Sequence, residues 1–284
     1  VASSEDVEKS ESNFPADVFE GVKDFSEKHA GCEIPHGKPA GHGEFLHQLV
    51  ASGTLARLLE TGVTHVSVRN IDNVAALIDG NWVDALGWMI SNDADILLEV
   101  SQRPDGQKGG ALIQRDGAWR IAEDPSFRGT SWNAKDSYYM NNAVAILSLR
   151  YLLKIYQTTR DEVVEGDTKQ WQEIADRGRR LFPTLVDAKP LTLDAGQVVG
   201  AVIPETNMWE STGVTEGLIV AAIAVDSDRD TGEILALDSE EQTRRAERVR
   251  FSPTKNWDDY NDARKQLIST TIATRIIAGK LLLD

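Results

Sequence analysis

The sequence runs to 284 residues, with 30 lysines and arginines against 45 acidic residues and a formal net charge of −15; at about 150 residues per domain this is one large domain, or a core with a small appendage. With 41% apolar and 26% charged residues the chain can bury a core, while so negative a field argues against non-specific binding to nucleic acid or anionic lipid. The single cysteine, Cys32, excludes an intrachain disulfide and a cysteine-cluster metal site, and no apolar run approaches the roughly 18–20 residues of a membrane span or forms a signal-peptide core. The expectation is a soluble protein of a reducing, cytoplasmic compartment, without nucleic-acid or membrane partners. Its oligomeric state is not legible.

The chain starts at Val1 and not at methionine, which reads as processing or as a piece of something longer. Residues 1–13, rich in Ser, Glu, Asp and Lys, read as a mobile lead-in, and 14–284 as the core. A glycine-rich loop over 36–44 precedes Phe45, Leu46, Leu49, Val50, Leu55, Leu58 and Leu59 at helical spacing, interrupted by Gly53 and stopped by Gly62. Val63 to Val68 alternates like a strand and runs into Asn70-Ile71-Asp72-Asn73. A helix around 80–92 and a strand around 95–101 follow. Ala111 to Gln114 and Trp119 to Ile121 flank Asp116-Gly117, a strong two-residue hairpin signal.

Further on, Ala143 to Tyr156 and Thr168 to Leu181 read as helices with apolar stripes. Leu218 to Val225 is almost wholly apolar, and its length does not choose between strand and helix. Asp226 to Thr231 reads as an acidic turn, Asp238 to Arg248 as charged and exposed, Arg250 to Lys255 as a strand and its exit, and about 258–283 as a closing helix. Arg244, Arg245, Arg248 and Arg250, beside Glu240, Glu241 and Glu247, suggest an ion-paired helix face. Strands mixed with helices at this spacing predict an α/β sandwich.

Three features carry chemistry. Gly41-His42-Gly43, at a loop entering a helix, lets backbone approach a ligand where the helix terminus favours negative charge; alone, it is read as an ordinary turn. Asp72, at the carboxyl end of a predicted strand, suits a hard cation such as Mg²⁺, and equally an N-cap. Lys255, at a strand exit, suits a phosphate, although a lone lysine is by default solvated. Cys32 reads as structural. His36, His42 and His47 lack zinc-site spacing, and the serine-hydrolase elbow and Walker lysine motifs are absent.

Taken together, five segments in order resemble the UDP-glucose pyrophosphorylase family (UTP–glucose-1-phosphate uridylyltransferases). They are Pro39-Ala40-Gly41-His42-Gly43-Glu44, Asn70-Ile71-Asp72-Asn73, Lys108-Gly109-Gly110-Ala111-Leu112-Ile113-Gln114 followed by Glu123, Asn141-Asn142, and Arg250-Phe251-Ser252-Pro253-Thr254-Lys255. The resemblance implies a Rossmann-like, GT-A-like nucleotidyltransferase core with a mixed sheet flanked by helices. It also implies Mg²⁺-dependent formation of UDP-glucose and pyrophosphate from UTP and glucose-1-phosphate. By the same resemblance Gly41 lies against nucleotide and His42 near the sugar phosphate. Asp72 holds the metal with Asn70 beside it, Glu123 and Asn141 bind sugar hydroxyls, and Lys255 is the catalytic phosphate contact. Ala40, Glu44, Tyr139, Met140, Ala143 and Val144 depart from the family pattern. The family's N-terminal glycine-rich nucleotide loop and its C-terminal β-helix have no counterpart here, which suggests a core incomplete at its N-terminus. The rival readings are a UDP-N-acetylhexosamine pyrophosphorylase and a non-catalytic sugar-nucleotide-binding module.

Overall fold

A computed structural model describes residues 41–103, 109–127, 131, 136–182, 184–192, 198–228, 238–254 and 256–277. The lead-in, Cys32, His36 and Lys255 lie outside the described residues. Helices α1 (Gly43–Ala51) and α2 (Thr54–Glu60) are separated at Gly53, whose φ of 69° is left-handed. A side chain there is doubly excluded, because a Cβ would sit 2.2 Å from the Trp171 ring.

Six strands form the main sheet: β1 (His65–Arg69), β2 (Ile96–Gln102), β3 (Ala111–Arg115), β4 (Ala118–Ala122), β5 (Tyr139–Ser148) and β8 (Val220–Ala224). The order is β4-β3-β5-β2-β8. One edge of β5 is shared, with β3 meeting it at Met140 and β1 pairing along Val144 to Ser148. Among the described residues of this sheet, β2–β8 is the one parallel pair. The expected hairpin is present as β3–β4, with Asp116 and Gly117 both at positive φ, as its tight turn demands. The ambiguous Leu218–Val225 run resolves as β8.

The central strands sort their side chains by period two. Leu97, Val144 and Ile146 face α3 (Gly80–Ser91), together with Trp82, Ala85 and Met89. Ile96, Leu98, Val100, Ala145 and Leu147 face the opposite layer. That layer comprises α1, α2, α4 (Leu149–Ile155), α5 (Arg160–Val164) and α6 (Thr168–Leu181). β2 and β5 are therefore covered on both faces, which is why they read as nearly continuous apolar runs.

That pattern corrects the helix expected over Ala143 to Tyr156. Its first part is the end of β5, and the helix starts only after Ser148, whose side chain accepts from Tyr151 N–H as an N-cap. The run Ala143–Leu147 is apolar on every side because both faces are buried, and periodicity cannot distinguish that from a buried helix. The closing helix is also divided, into α8 (Trp257–Asn261) and α9 (Ala263–Ile277).

Three small elements complete the described fold: a hairpin of β6 (Thr184–Thr192) and β7 (Val198–Thr206), helix α7 (Ser239–Arg248), and a parallel pair of β9 (Asp226–Ser227) with β10 (Val249–Phe251). On α7 the expected ion-paired face is real: Arg244 and Arg245 bond Glu241, and Arg248 meets Asp226. Arg250 is the exception. It is buried on β10, away from that face, against Asp79 and Glu99.

The packing of α6 on the end of α4 depends on a glycine. A Cβ at Gly178 would lie 2.1 Å from Cε1 of Tyr156, a fully buried ring whose hydroxyl meets Nδ1 of His47 at 2.6 Å. Burial pushes the His47 imidazole down to about 4, so it packs as a neutral ring. Gly178→Ala regains about 1 kcal/mol of helix propensity against about 1–3 kcal/mol of overpacking. A lowered urea midpoint is expected, and parental stability would show that Tyr156 can step aside.

Candidate active site

Asn70, Asp72, Glu123 and Asn141 lie at one end of the sheet, where β1, β2, β4 and β8 end and β5 begins. In open α/β sheets ligands collect beyond the carboxyl ends of strands. β5 reaches this edge through a bulge: Leu98 pairs with Ala145 but Val100 with Asn141, so extra residues of β5 loop out between them. Ala143, at φ 56°, makes the left-handed step. Its N–H is held by Oδ1 of Asn141 at 3.1 Å, and its carbonyl accepts from Asn70 N–H at 3.2 Å. The bulge thus places Asn141 beside the end of β1. Next to it, Ser101 donates to Oδ1 of Asn142 (2.8 Å), whereas the buried Nδ2 of Asn142 has no partner among the described residues.

Past Asn70 the chain turns, with Asn73 N–H bonding back to the Asn70 carbonyl at 3.2 Å. The Asp72 side chain is only partly covered. Its carbonyl accepts from Thr254 N–H at 2.8 Å, which joins the Asp72 turn to the Arg250–Thr254 segment. Lys255 follows Thr254 in sequence and lies outside the described residues.

Glu123 follows β4. Its Oε1 accepts from Nδ2 of Asn207 at 3.1 Å, and its N–H donates to Glu210 at 2.7 Å. A Cβ on Gly110 would stand 2.6 Å from the same Oε1, so the missing side chain at Gly110 is what admits the carboxylate. Gly110 also accepts from Asn141 N–H at 2.9 Å, linking Glu123 to the β5 bulge. Arg103, buried, donates to the carbonyls of Gly109 and Gly110 and fixes their course.

The loop at Gly41 closes the same side. Gly41 has φ 98°, a conformation that side chains avoid. Gly43 packs so closely on Thr206 that a Cβ would lie 2.7 Å from the threonine Cβ, and Thr206 precedes the Asn207 that holds Glu123. Glu44 is drawn to Arg179 on α6, and that bond lowers its carboxyl below the usual range. His42 is exposed at the N-cap position and its side chain does not cap the helix. Gly41, His42, Asn70, Asp72, Glu123 and Asn141 are therefore linked through one chain of contacts.

Sequence reasoning missed Arg103, Asn207 and Glu210, which position the motif residues. The only available signal was their nearness to motifs or strand ends. Burial raises the Glu210 carboxyl, and the Glu123 N–H and Ser126 hydroxyl it accepts partly offset that. Among the described residues no three His, Cys, Asp or Glu side chains form a metal cage, and no helix is long and apolar enough to cross a membrane.

Comparison with known proteins points the same way. The family described as UTP–glucose-1-phosphate uridylyltransferase matches residues 10–158. A protein of that name from Encephalitozoon cuniculi is 34% identical over 115 residues, 40% of this chain and 22% of the relative. A probable UTP–glucose-1-phosphate uridylyltransferase from Schizosaccharomyces pombe is 36% identical over 97 residues, 34% of this chain and 19% of the relative. The aligned part thus spans about a fifth of these relatives' length. Among solved structures, a UDP-glucose phosphorylase from Trypanosoma brucei superposes with a TM-score of 0.51 at 21% identity, covering 80% of this chain and 41% of that one. The H191L mutant of UDP-glucose pyrophosphorylase from Leishmania major gives 0.50 at 22%, covering 81% and 43%. The fold is that mixed-sheet nucleotidyltransferase architecture.

Proposed function

Since the chain belongs to the UTP–glucose-1-phosphate uridylyltransferase family, we propose that its strand-end site holds the sugar phosphate and nucleotide for uridylyl transfer. In that reaction a phosphate oxygen of glucose-1-phosphate attacks the α-phosphorus of UTP, the bond to the β-phosphate oxygen breaks, and UDP-glucose and pyrophosphate leave. The observation that carries this reading is the Thr254–Asp72 bond, which joins the Asp72 turn to the distant Arg250–Thr254 segment, the motif residues that precede Lys255 in sequence. Phosphoryl-type transfer needs positioning and charge neutralisation more than a side-chain nucleophile.

Each residue takes the part its setting permits. Backbone at Gly41 passes close to the nucleotide because the residue carries no side chain, while Gly43 lets the loop seat on Thr206. His42, exposed in that loop, donates to the sugar phosphate. Glu123 and Asn141, linked through Gly110, accept from and donate to sugar hydroxyls. Asn70 lies beside them at the end of β1, and Lys255 offsets charge that grows on phosphate. A single partly covered carboxylate fits Mg²⁺, which keeps several waters and takes one or two protein carboxylates beside substrate phosphates. Asp72 would hold the ion, and when bound it would supply neutralisation of phosphate charge.

Calorimetric titration of UDP-glucose and UDP-N-acetylglucosamine, with and without Mg²⁺, tests this reading. UDP-glucose is expected to bind more tightly, and the more so with Mg²⁺. Preference for the acetylated sugar would reassign the substrate, and binding of neither would overturn the proposal. In the same assay His42→Ala should cost about 1.5–3 kcal/mol of UDP-glucose affinity, the worth of a hydrogen bond to a charged group, with uridine affinity unchanged. An equal loss for both ligands would mean that His42 shapes the loop only.

A further inference from the structure

We propose that Asn73 is a positioning residue whose carboxamide clamps the Asp72 turn to the Arg250–Thr254 segment and sets the spacing on which sugar-nucleotide binding depends. This rests on the functional reading given above. Asn73 is 5% exposed. Its Nδ2 donates to the Arg250 carbonyl at 3.1 Å, and its Oδ1 accepts from Ser252 N–H at 2.9 Å. One planar side chain thereby satisfies two backbone groups of a segment 177 and 179 residues away, as an extra strand would. The main chain continues the join on both sides: Val74 N–H donates to the Ser252 carbonyl (3.3 Å), Asn73 bridges Pro253, and Thr254 N–H donates to the Asp72 carbonyl.

The ordinary alternative is an asparagine that shapes its own turn. Oδ1 does accept from Ala75 N–H at 3.3 Å, a local bond that aspartate or serine would also make. A turn role uses only the acceptor, whereas the clamp needs donor and acceptor on the same group. Asn73→Asp separates the two. It keeps shape and acceptor, deletes the donor, and sets a carboxylate oxygen against the Arg250 carbonyl, leaving that buried carbonyl without this bond.

From the far side Lys265, on α9, donates to the Pro253 carbonyl and to Asp228 (2.6 Å), and Ser252 Oγ bonds the same Asp228 oxygen at 2.9 Å. The segment is thus held from behind independently of Asn73. Losing the amide should free its contact with the Asp72 turn without unfolding β10.

Two readouts on the whole chain test this: amide hydrogen exchange by NMR, and calorimetry with UDP-glucose and with uridine in the presence of Mg²⁺. In Asn73→Asp and Asn73→Ala, exchange at Thr254 is expected to accelerate about tenfold or more, the equivalent of one lost hydrogen bond, and in Asn73→Ala, which also loses the acceptor, so is exchange at Ser252, while core amides of β2 and β5 keep their parental rates. UDP-glucose affinity should fall about tenfold, with uridine affinity unchanged. Parental exchange at Thr254 in Asn73→Asp would overturn the clamp. Accelerated exchange with parental UDP-glucose affinity would overturn the positioning role. A parent chain that binds no UDP-glucose would instead defeat the uridylyltransferase reading, and exchange alone would then decide the clamp.

Discussion

Arg250→Ala is expected to destabilise the protein by about 3–5 kcal/mol, the cost of leaving a buried charge without its partner. Nε of Arg250 meets Glu99 at 2.6 Å, Nη1 meets both oxygens of Asp79 at 2.8 and 2.9 Å, and Nη2 donates to the Leu77 carbonyl at 2.9 Å. The guanidinium carbon lies 5.3 Å from the centroid of Trp82, adding a cation–π contact in a desolvated setting. Glu99, on the middle of β2, is fully buried, so its carboxylate depends on the arginine that bonds it. Lysine should rescue little, because one ammonium cannot serve three acceptors in a planar fork.

The deficit should shrink in acid. Burial already raises the Glu99 carboxyl above its usual range, outweighing the pull of Arg250, and losing the arginine raises it further. An acid whose folded pKa exceeds its unfolded value binds more protons in the folded state between the two, so stability grows as pH falls through that window. Urea midpoints at neutral and mildly acidic pH would measure both effects. A loss under about 1 kcal/mol, or a deficit that widens in acid, would show that the network is hydrated.

On the proposed uridylyltransferase reading, Lys255→Ala is expected to lower kcat, in a chain that turns over, about a hundredfold or more, by analogy with removing one preorganised electrostatic donor. The preceding residue, Thr254, is bonded to Asp72. The chain carries −15 overall, so a local cation has to offset both substrate charge and the acidic background, and more so as charge develops in the transition state. Lys255→Arg should recover activity only in part. In a binding assay Lys255→Ala should remove a salt-sensitive share of UDP-glucose affinity. Parental kcat and parental affinity together would return Lys255 to the solvent.

What was legible in the sequence shares a physical character: it was local. Gly53 and Gly62 break helices through their own backbone freedom, Asp116-Gly117 builds its own turn, and the 3.6-residue stripe of α6 lies within fourteen residues. β5 was misread because covering both faces erases the alternation that identifies a strand. Residues 184–206 do not announce a hairpin, since Pro190 and Pro204 each remove a ladder donor. Arg250 looked like one more member of a charged helix face because its two acids, Asp79 and Glu99, are more than 150 residues away in the chain. The site followed the same division. Asp72 and the glycine loop were visible from motif resemblance, whereas Arg103, Asn207 and Glu210 act through contacts that only the folded chain makes.

The separation between Asn73 and Arg250 also has a consequence for the order in which the molecule assembles. Loop-closure cost rises only with the logarithm of length, about 0.6 kcal/mol per doubling, but it falls due before distant contacts repay it. β3–β4 closes over two intervening residues, and β2–β5 over some forty to fifty. The Asp72 turn must wait for a segment 177 residues downstream. During synthesis on a ribosome the sheet can therefore form while the rim at the Asp72 turn is still open, and that rim closes only when β10, and behind it α9, arrives. A nascent chain interrupted before Val249 would carry a folded sheet without a finished site.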